Sequence, residues 1–547
     1  MKSITPLQNY HPKPEHFILP VILFIAFLIR LSGIGVGLPY TSDPREVLIA
    51  EDVLNLISLE SPPTIYNWPG TAWFYLIAIV GKILSIFGLV LSNSQIILIG
   101  RLLNVVLGTG TVWLTYKLGN SLYNKQVGLI AAAFLTVTML HATNESSLAI
   151  VDIPATFCIT LFLYILSRDS NLGIFTCLKL GLIGGIGIAV KYPTVFVLIA
   201  IFTFIREEHF FRKLLLILGI TGFAFTLICP YWLIDVFSTE WNDFFDDFLY
   251  ESGHNNKGHF GLFSAAETGL IDRFLYLGTL LKWGIGFPLA LLVGCGLIWE
   301  LKNYLLSIPS IWNFVSKIYS IRNVIDKKRE NNPRLGIGLF IFIISYILFI
   351  GCYKVTFTRH LIILFPILII LASVFLYSIN RRIGWSCGII IWIVSLFYTC
   401  SFASIMWTQP TGQEASEWIS DNIPIDNGIM RPPEVLFDWL IPDLDREMTQ
   451  VESDWVMTTR ADNDVFLRFY KNQQNFELID WFPLEDVGIE ETLEFYRLLW
   501  KEDSNYQLVK TFQRKPSFLG IRFSDDAPFP MNSLLHPEIR LYKRSDN

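Results

Sequence analysis

Long apolar segments recur through the first 404 residues and limit what this chain can fold into. A transmembrane helix needs about 20 mostly apolar residues, and backbone groups in lipid must bond within their own segment. We interpret eleven segments as spans: 17–36, 97–117, 126–141, 148–167, 173–190, 193–205, 213–234, 274–299, 335–352, 360–379 and 384–404. The sequence therefore predicts a polytopic α-helical protein with about 11–13 transmembrane helices, set multi-pass in a plasma or inner membrane.

Basic loops predict the orientation, because lysine and arginine favour the cytoplasmic side. Residues 300–334 form the most basic loop, and Arg212 and Arg381 mark two others. If these loops and the N terminus are cytoplasmic, the apolar stretch 68–91 cannot span, and we expect it at the outer surface. An even number of spans must separate two cytoplasmic segments, and the count is even only if 173–205 is divided into two helices at Lys191. One long helix there would require 68–91 to span.

Residues 405–547 change to the pattern of a soluble domain. They hold 26 Asp and Glu against 14 Lys and Arg, whereas the whole chain has a net charge of −6. Alternation and helical periodicity predict strands and helices in turn. The predicted elements are a helix opened by a capping box at Thr411, strands at 455–459, 506–512 and 539–543, and a helix at 490–501. We therefore predict a transmembrane catalytic domain at 1–404, with 37–95 as its first outer loop, and a small extracytoplasmic α/β domain at 405–547.

Two acidic positions lie beside predicted spans, where a carboxylate is costly to remove from water. Asp43 and Glu46 follow the first span, and helical spacing would place both on one face. Asp152 stands at the start of another apolar span. Outer-loop acids that only follow topology, or an Asp stabilised by a helix dipole, are the alternatives. We predict that Asp43, Glu46 and Asp152 are catalytic.

Cations on the same predicted side suggest a phosphate site. Lys354 and Arg359 precede an apolar span, and Lys191 lies between two others. A lipid phosphate is a natural partner for them, although snorkelling towards headgroups is the simpler alternative.

The loop 250–261 carries His254, Lys257 and His259 among glycines and asparagines. It is suited to bind sugar hydroxyls or an anion, although a plain surface loop is an equal alternative. A divalent metal stays open, since two acids can bind one but a monophosphate donor does not demand it.

Several motifs, in this order along the chain, resemble GT-C glycosyltransferases of the protein O-mannosyltransferase and aminoarabinose transferase group, glycosyltransferase family 39. The first pair is Gly37-Leu-Pro-Tyr-Thr-Ser-Asp43 with Tyr66-Asn-Trp-Pro69. The others are Gly128-Leu-Ile-Ala-Ala-Ala133, Asp152-Ile-Pro154, Gly184-Gly-Ile-Gly-Ile-Ala-Val-Lys191, Phe357-Thr-Arg359, Ala415-Ser-Glu-Trp418 and Phe495-Tyr-Arg-Leu-Leu499.

The resemblance implies a polyprenyl-phosphate sugar donor, catalysis at the outer face, Asp43 as base, Asp152 as a second acid and Arg359 near the donor phosphate. The family commonly has a second acid directly after the first, where this chain has Pro44. A carboxylate base beside phosphate-binding cations suits inverting transfer of a hexosyl or pentosyl group to a lipid, glycan or protein acceptor. The alternatives are a lipid-linked sugar transporter or flippase and a non-catalytic membrane scaffold. No basic block indicates nucleic acid.

Overall fold

The computed structural model describes residues 15–39, 43–68, 70–169, 171–205, 207–238, 243–257, 269–306, 333–353, 356–432, 448–449, 453–460, 463, 489–501, 504–524 and 536–545. The membrane body is helical. Its first elements are α1 (Glu15–Leu31), α2 (Pro44–Ser58), α3 (Thr71–Ile86), α4 (Asn93–Leu122), α5 (Lys125–Thr136), a π-helical turn (Leu140–Asn144), α6 (Asp152–Arg168), α7 (Ile174–Val190) and a 3₁₀ helix (Tyr192–Phe204). These are followed by α8 (Phe210–Ile228), α9 (Tyr231–Phe237), α10 (Asp243–Lys257), α11 (Leu270–Ile285), α12 (Phe287–Leu306), α13 (Pro333–Cys352), a 3₁₀ turn (Thr358–Leu364), α14 (Phe365–Ser378) and α15 (Arg381–Ile405).

Four of these helical segments are long and apolar enough to cross a bilayer within the described part of the chain. They are Asn93–Leu122, Phe210–Ile228, Thr358–Ser378 and Arg381–Ile405. Six shorter apolar helices accompany them, among them α3 within the 68–91 stretch. The predicted helical membrane body is confirmed, while the number of spans and the place of α3 stay predictions.

The predicted break at Lys191 is confirmed. Lys191 has extended backbone angles, φ −156° and ψ 125°, and ends α7 before Pro193 enters the 3₁₀ helix. The 3₁₀ helix then folds back and packs closely on α7. A Cβ placed on Gly187 would lie 2.5 Å from Thr194 Cγ2, and one placed on Gly184 would lie 3.3 Å from Leu198 Cδ2. The two segments form a helical hairpin rather than one long helix.

Glycines let α7 approach its other neighbour closely. A Cβ on Gly185 would lie 2.6 Å from Ala224 Cβ, and one on Gly181 would lie 2.6 Å from Ile220 Cβ. Small residues four apart allow two membrane helices to pack closely. In lipid the hydrophobic effect does not drive helices together, so van der Waals contacts at short range stabilise the pair instead. This packing holds α7, and so Lys191 at its end, against α8.

The predicted span 274–299 is wrong as a single helix. Gly286 stands between α11 and α12 with φ +85° and ψ 146°. Left-handed backbone of this kind is accessible to glycine and strained for other residues. A run of apolar residues predicts burial, but it does not reveal a break made by one glycine.

The C-terminal domain is small and mixed, as predicted. Its helices are α16 (Thr411–Asn422) and α17 (Ile489–Leu499), and its strands are β1 (Ile429–Met430), β2 (Met448–Thr449), β3 (Trp455–Thr459), β4 (Tyr506–Phe512), β5 (Ser517–Phe518), β6 (Ile521–Arg522) and β7 (Ile539–Arg544). The main sheet has the order β2-β1-β3-β7-β4, with β7 antiparallel to both β3 and β4. The strands and helices predicted at 455–459, 490–501, 506–512 and 539–543 are therefore confirmed.

The capping box predicted at Thr411 is wrong. Pro410 is the residue before α16, no side chain caps the helix, and Glu414 instead binds Arg514 at 2.6 Å. The domain contacts the end of α15, where Ser404 Oγ donates to Ser517 O at 2.7 Å and the Tyr398 ring lies 5.6 Å from that of Phe523.

Candidate functional site

Asp43 begins α2 and is buried. Its backbone is extended, Pro44 follows in the first helical turn, and its carboxylate accepts from Arg45 N at 3.0 Å. The Arg45 guanidinium adds two bonds, from Nε to Oδ1 at 2.9 Å and from Nη2 to Oδ2 at 2.6 Å. Burial acts to raise the pKa of Asp43, but the charge and hydrogen bonds of Arg45 outweigh it and lower this pKa below its ordinary value. Asp43 is thus an ionised, oriented carboxylate.

Glu46 is in a different situation, although it lies one turn away. It forms a fully buried ion pair with Arg101 of α4, whose Nε and Nη2 donate to Oε1 and Oε2 at 2.8 and 2.6 Å. Ala149 N donates to Oε1 as well, at 2.6 Å. The remaining nitrogen, Arg101 Nη1, donates to the carbonyls of Ile34 and Val36. These bonds tie α2, α4 and the segments before α2 and α6 together.

Asp152 is the first residue of α6 and meets Lys191 at the end of α7. Lys191 Nζ lies 2.6 Å from Asp152 Oδ1, and both side chains are largely buried. The pair depends on the helical hairpin described above, because the chain turns at Lys191. Two residues that are 39 positions apart are brought together in this way.

Arg359 approaches from the 3₁₀ turn before α14. Its guanidinium carbon lies 4.4 Å from the centre of the Phe357 ring, a cation–π contact. No carboxylate of the described residues lies within ion-pair distance of it. Its charge nevertheless acts on both Asp43 and Glu145, so the three groups are electrostatic neighbours.

Glu145 lies in the same cluster of charges as Asp43, Arg45, Asp152, Lys191 and Arg359, but it was not predicted from the sequence. It follows the π-helical turn and is 3% exposed, and its Oε2 has no hydrogen-bond partner among the described residues. Burial raises its pKa to about 7, with Asp152 adding to the rise and Arg45, Arg359 and Lys191 opposing it. The sequence offered one indication of Glu145, which is that it stands seven residues before Asp152, an acid at the start of an apolar span. It was not identified because Glu145 itself does not lie in an apolar run.

A scaffold of buried side chains holds the segment between Glu145 and Asp152. Asn104 Nδ2 donates to the carbonyls of Leu148 and Ile150 at 2.6 and 2.9 Å, and Trp73 Nε1 donates to Ala149 O at 3.0 Å. With the bond from Ala149 N to Glu46, three neighbouring elements satisfy this irregular backbone. Buried backbone groups outside regular structure need such partners, so the scaffold fixes both acids.

The π-helical turn before Glu145 is braced from α1. Arg30 is fully buried, and its Nη2 lies 2.7 Å from His141 Nδ1 and 3.3 Å from Leu135 O. π-helical turns are rare and are often found at functional sites. Here the turn ends at Asn144, so Glu145 is the first residue after it and is positioned by it.

Four of the predicted site residues therefore converge with Arg45, the neighbour of Asp43 along the chain, and with Glu145, which was not predicted. Electrostatic contacts through Arg45 and Glu145 link Asp43, Asp152, Lys191 and Arg359 into one cluster of charges. Glu46 lies beside them but is engaged with Arg101. Within the described residues, no group of three or more His, Cys, Asp or Glu side chains has the geometry to hold a metal ion.

The predicted substrate loop is only partly described. His254 and Lys257 lie at the end of α10, whose side chains there are not described, and His259 and Lys354 lie outside the described residues. Earlier in α10, the rings of Phe244 and Phe248 lie 6.4 and 5.2 Å from that of Tyr192, the neighbour of Lys191. The helix that leads into this loop thus packs next to the cluster.

A cavity of about 650 Å³ lies apart from the cluster. It is lined mostly by apolar residues of α1, α5, α14 and α15, together with the polar residues Gln126 and Arg381, and its lining includes none of the candidate residues. Trp385 and Ile389 of its lining are exposed, so this cavity is a groove on the surface of the helical body.

Comparisons with known proteins connect this geometry to a family. The model of the dolichyl-phosphate-mannose-protein mannosyltransferase family matches residues 71–234, which include Glu145, Asp152 and Lys191. A comparison with curated protein sequences gave no match.

Among solved structures, the chain is similar to ArnT from Cupriavidus metallidurans bound to undecaprenyl phosphate, with 11% identity and a TM-score of 0.49 over 96% of this chain and 97% of that one. It is also similar to the oligosaccharyltransferase AglB from Archaeoglobus fulgidus in complex with an inhibitory peptide and a dolichol-phosphate, with 12% identity, a TM-score of 0.48 and 76% of this chain covered. This chain spans 59% of the length of AglB. The Pmt1–Pmt2 complex of S. cerevisiae bound to the sugar donor matches with 18% identity and a TM-score of 0.33, over 41% of this chain and 34% of that one.

The predicted resemblance is confirmed: residues 71–234 match the model of the dolichyl-phosphate-mannose-protein mannosyltransferase family, so this membrane protein resembles the protein O-mannosyltransferase group of GT-C glycosyltransferases.

Proposed function

We propose that this protein transfers one sugar from a polyprenyl-phosphate donor to an acceptor at the outer face of the membrane. The observation that carries the proposal is the convergence of Asp43 and Asp152 with the cations Arg45, Lys191 and Arg359. The matched family is named for transfer from such a donor, dolichyl phosphate mannose, to protein.

The cluster supports a division of labour between its charges. Cations stabilise a departing phosphate, and Arg359 is the best placed to do so because no described carboxylate pairs with it. Asp43 is the proposed base: Arg45 keeps its carboxylate ionised and oriented, and such a carboxylate can accept the proton of the nucleophile. In this scheme the nucleophile attacks the anomeric carbon as the bond to the phosphate oxygen breaks, which inverts that centre.

The geometry supports an enzyme better than a scaffold or a transporter. Burying several charges is costly unless each is paired or functional, and a non-catalytic scaffold has no use for that cost. A transporter would place such groups near the bilayer midplane. The clustered residues instead lie at the ends of helices: Asp43 before α2, Asp152 at the start of α6 and Lys191 after α7.

The first test is mass spectrometry of lipids and exported glycans in cells that lack the protein, complemented with variants. Wild type should restore a missing sugar, whereas Asp43→Asn should lower its amount by about 10²–10⁴-fold, the usual contribution of a general base. Glu51→Gln, which removes an exposed charge from the same helix, is the matched control and should restore the sugar fully.

Two results would contradict the proposal. An unchanged glycan and lipid profile in cells lacking the protein would remove the transferase assignment. Full restoration by Asp43→Asn at equal protein level would leave the transferase but remove Asp43 as its base.

A further inference from the structure

The starting observation is a buried carboxyl without a hydrogen-bond partner at one oxygen. Glu145 is 3% exposed and its Oε2 is unsatisfied among the described residues. An ionised carboxylate in this position would be costly, whereas a neutral carboxyl needs only one acceptor for its proton. No described residue supplies that acceptor at Oε2.

The charges around Glu145 suggest what the acceptor is. Asp152 stands on α6, Lys191 follows α7, Arg45 stands on α2 and Arg359 stands on the 3₁₀ turn, and all four act on Glu145. Asp43, which acts on Arg45 and Arg359, completes the set. Two carboxylates against three cations leave one positive charge when Glu145 is neutral, and no net charge when it is ionised. A donor that carries a single negative charge on a phosphodiester therefore matches the neutral form.

We infer that Glu145 takes part in donor binding as a neutral acid, donating a hydrogen bond to the donor phosphate, so that one proton is taken up as the donor binds. The inference rests on the proposed function, because it requires a phosphodiester in this cluster. It assigns to Glu145 a binding role, distinct from the base role of Asp43.

Linkage turns this inference into a measurable dependence on pH. In the free protein the pKa of Glu145 is about 7, and a bound negative phosphate beside it would raise that pKa further. Protonation then precedes or accompanies binding, so affinity is full below pH 7 and falls as the pH rises above it, by at most about tenfold per pH unit for one proton. Between pH 6 and pH 8 we expect a loss of about tenfold in affinity.

The experiment measures binding of farnesyl methyl phosphodiester to the purified full-length protein in detergent, from pH 6 to pH 8. This probe keeps one negative charge over the whole range, so the probe itself does not titrate. Wild type should lose about tenfold in affinity across the range, whereas Glu145→Gln, a neutral side chain that can still donate, should bind equally at both ends. At pH 8 the variant should therefore bind about tenfold more tightly than wild type. Glu51→Gln should keep the wild-type profile.

Each outcome decides a different point. Absence of probe binding by wild type at every pH contradicts the proposed donor site itself. Binding by wild type that does not vary with pH overturns the role of Glu145 and leaves the donor site standing. Weaker binding by Glu145→Gln at all pH values, with the wild-type slope retained, also overturns it. If the variant does not fold, the wild-type profile and that of Glu145→Asp, which should still slope, decide the matter.

Discussion

Two buried glutamates near the start of α6 differ in how their oxygens are used. Glu46 is fully buried, and both of its oxygens accept bonds from Arg101, with Ala149 N as a third donor. Glu145 is nearly as buried, but its Oε2 accepts nothing in the described structure. Both residues belong to the surroundings of one short segment, because Glu145 lies at its start and Glu46 accepts a hydrogen bond from its backbone at Ala149.

The comparison shows that burial alone does not identify a functional acid. A buried pair with all its bonds made is a structural tie, whose net contribution to stability is small but whose disruption leaves an uncompensated charge. A buried polar atom without a partner is rare in proteins and calls for an explanation such as a ligand. Glu46, which the sequence suggested as catalytic, is better explained as the support of the segment that carries Glu145 and Asp152.

The largest expected effect comes from breaking the satisfied pair. Arg101→Met removes the only described charge partner of Glu46 and four hydrogen bonds, and should lower the free energy of unfolding by about 3–5 kcal/mol. Chemical denaturation of the purified protein in detergent measures this change. Arg382→Met removes an exposed arginine from α15 and should change the free energy of unfolding by less than about 0.5 kcal/mol. Equal effects of the two substitutions would remove the distinction drawn between Glu46 and Glu145.

The next largest effect is expected at Arg359, which lies in the charge cluster with Glu145. Arg359→Ala should weaken binding of farnesyl methyl phosphodiester by about tenfold to a hundredfold, because it removes a charge-assisted bond to phosphate. The free energy of unfolding should change little, since no described carboxylate forms an ion pair with Arg359. Arg382→Ala is the control for loss of an arginine elsewhere. A large loss of stability with unchanged probe binding would place Arg359 with the structural residues.

The smallest effect is expected for an ion pair that has the same N–O distance as Arg101 and Glu46 but is exposed to solvent. Arg514 and Glu414 in the C-terminal domain lie 2.6 Å apart, as do Arg101 and Glu46, but their side chains are 36% and 38% exposed. Solvent screens such a pair, so Arg514→Met should cost only about 0–1 kcal/mol. Denaturation of the full chain in detergent checks it, and a loss as large as that of Arg101→Met would show that distance outweighs burial here.

Much of the site was accessible from sequence because charges beside apolar segments are costly. Asp43, Asp152, Lys191 and Arg359 all stand at the boundary of an apolar run, and each lies in the cluster. Arg101 and Glu145 were not identified, for different reasons. Arg101 lies inside α4, and its partner is 55 positions away, a separation that only the fold closes. Glu145 stands in a polar stretch, where an acid normally faces water.

The sequence by itself determined the fold class, the three longest strands of the C-terminal domain and the resemblance to a glycosyltransferase group, because apolar runs, alternation and motif order are local properties. Only the tertiary structure decided that Gly286 divides an apolar segment, that Glu46 pairs with Arg101 and that Glu145 Oε2 has no partner among the described residues, although charges of both signs surround it. Hydrogen-bond satisfaction and the electrostatic environment depend on groups from distant parts of the chain, and those groups become neighbours only when the helices pack.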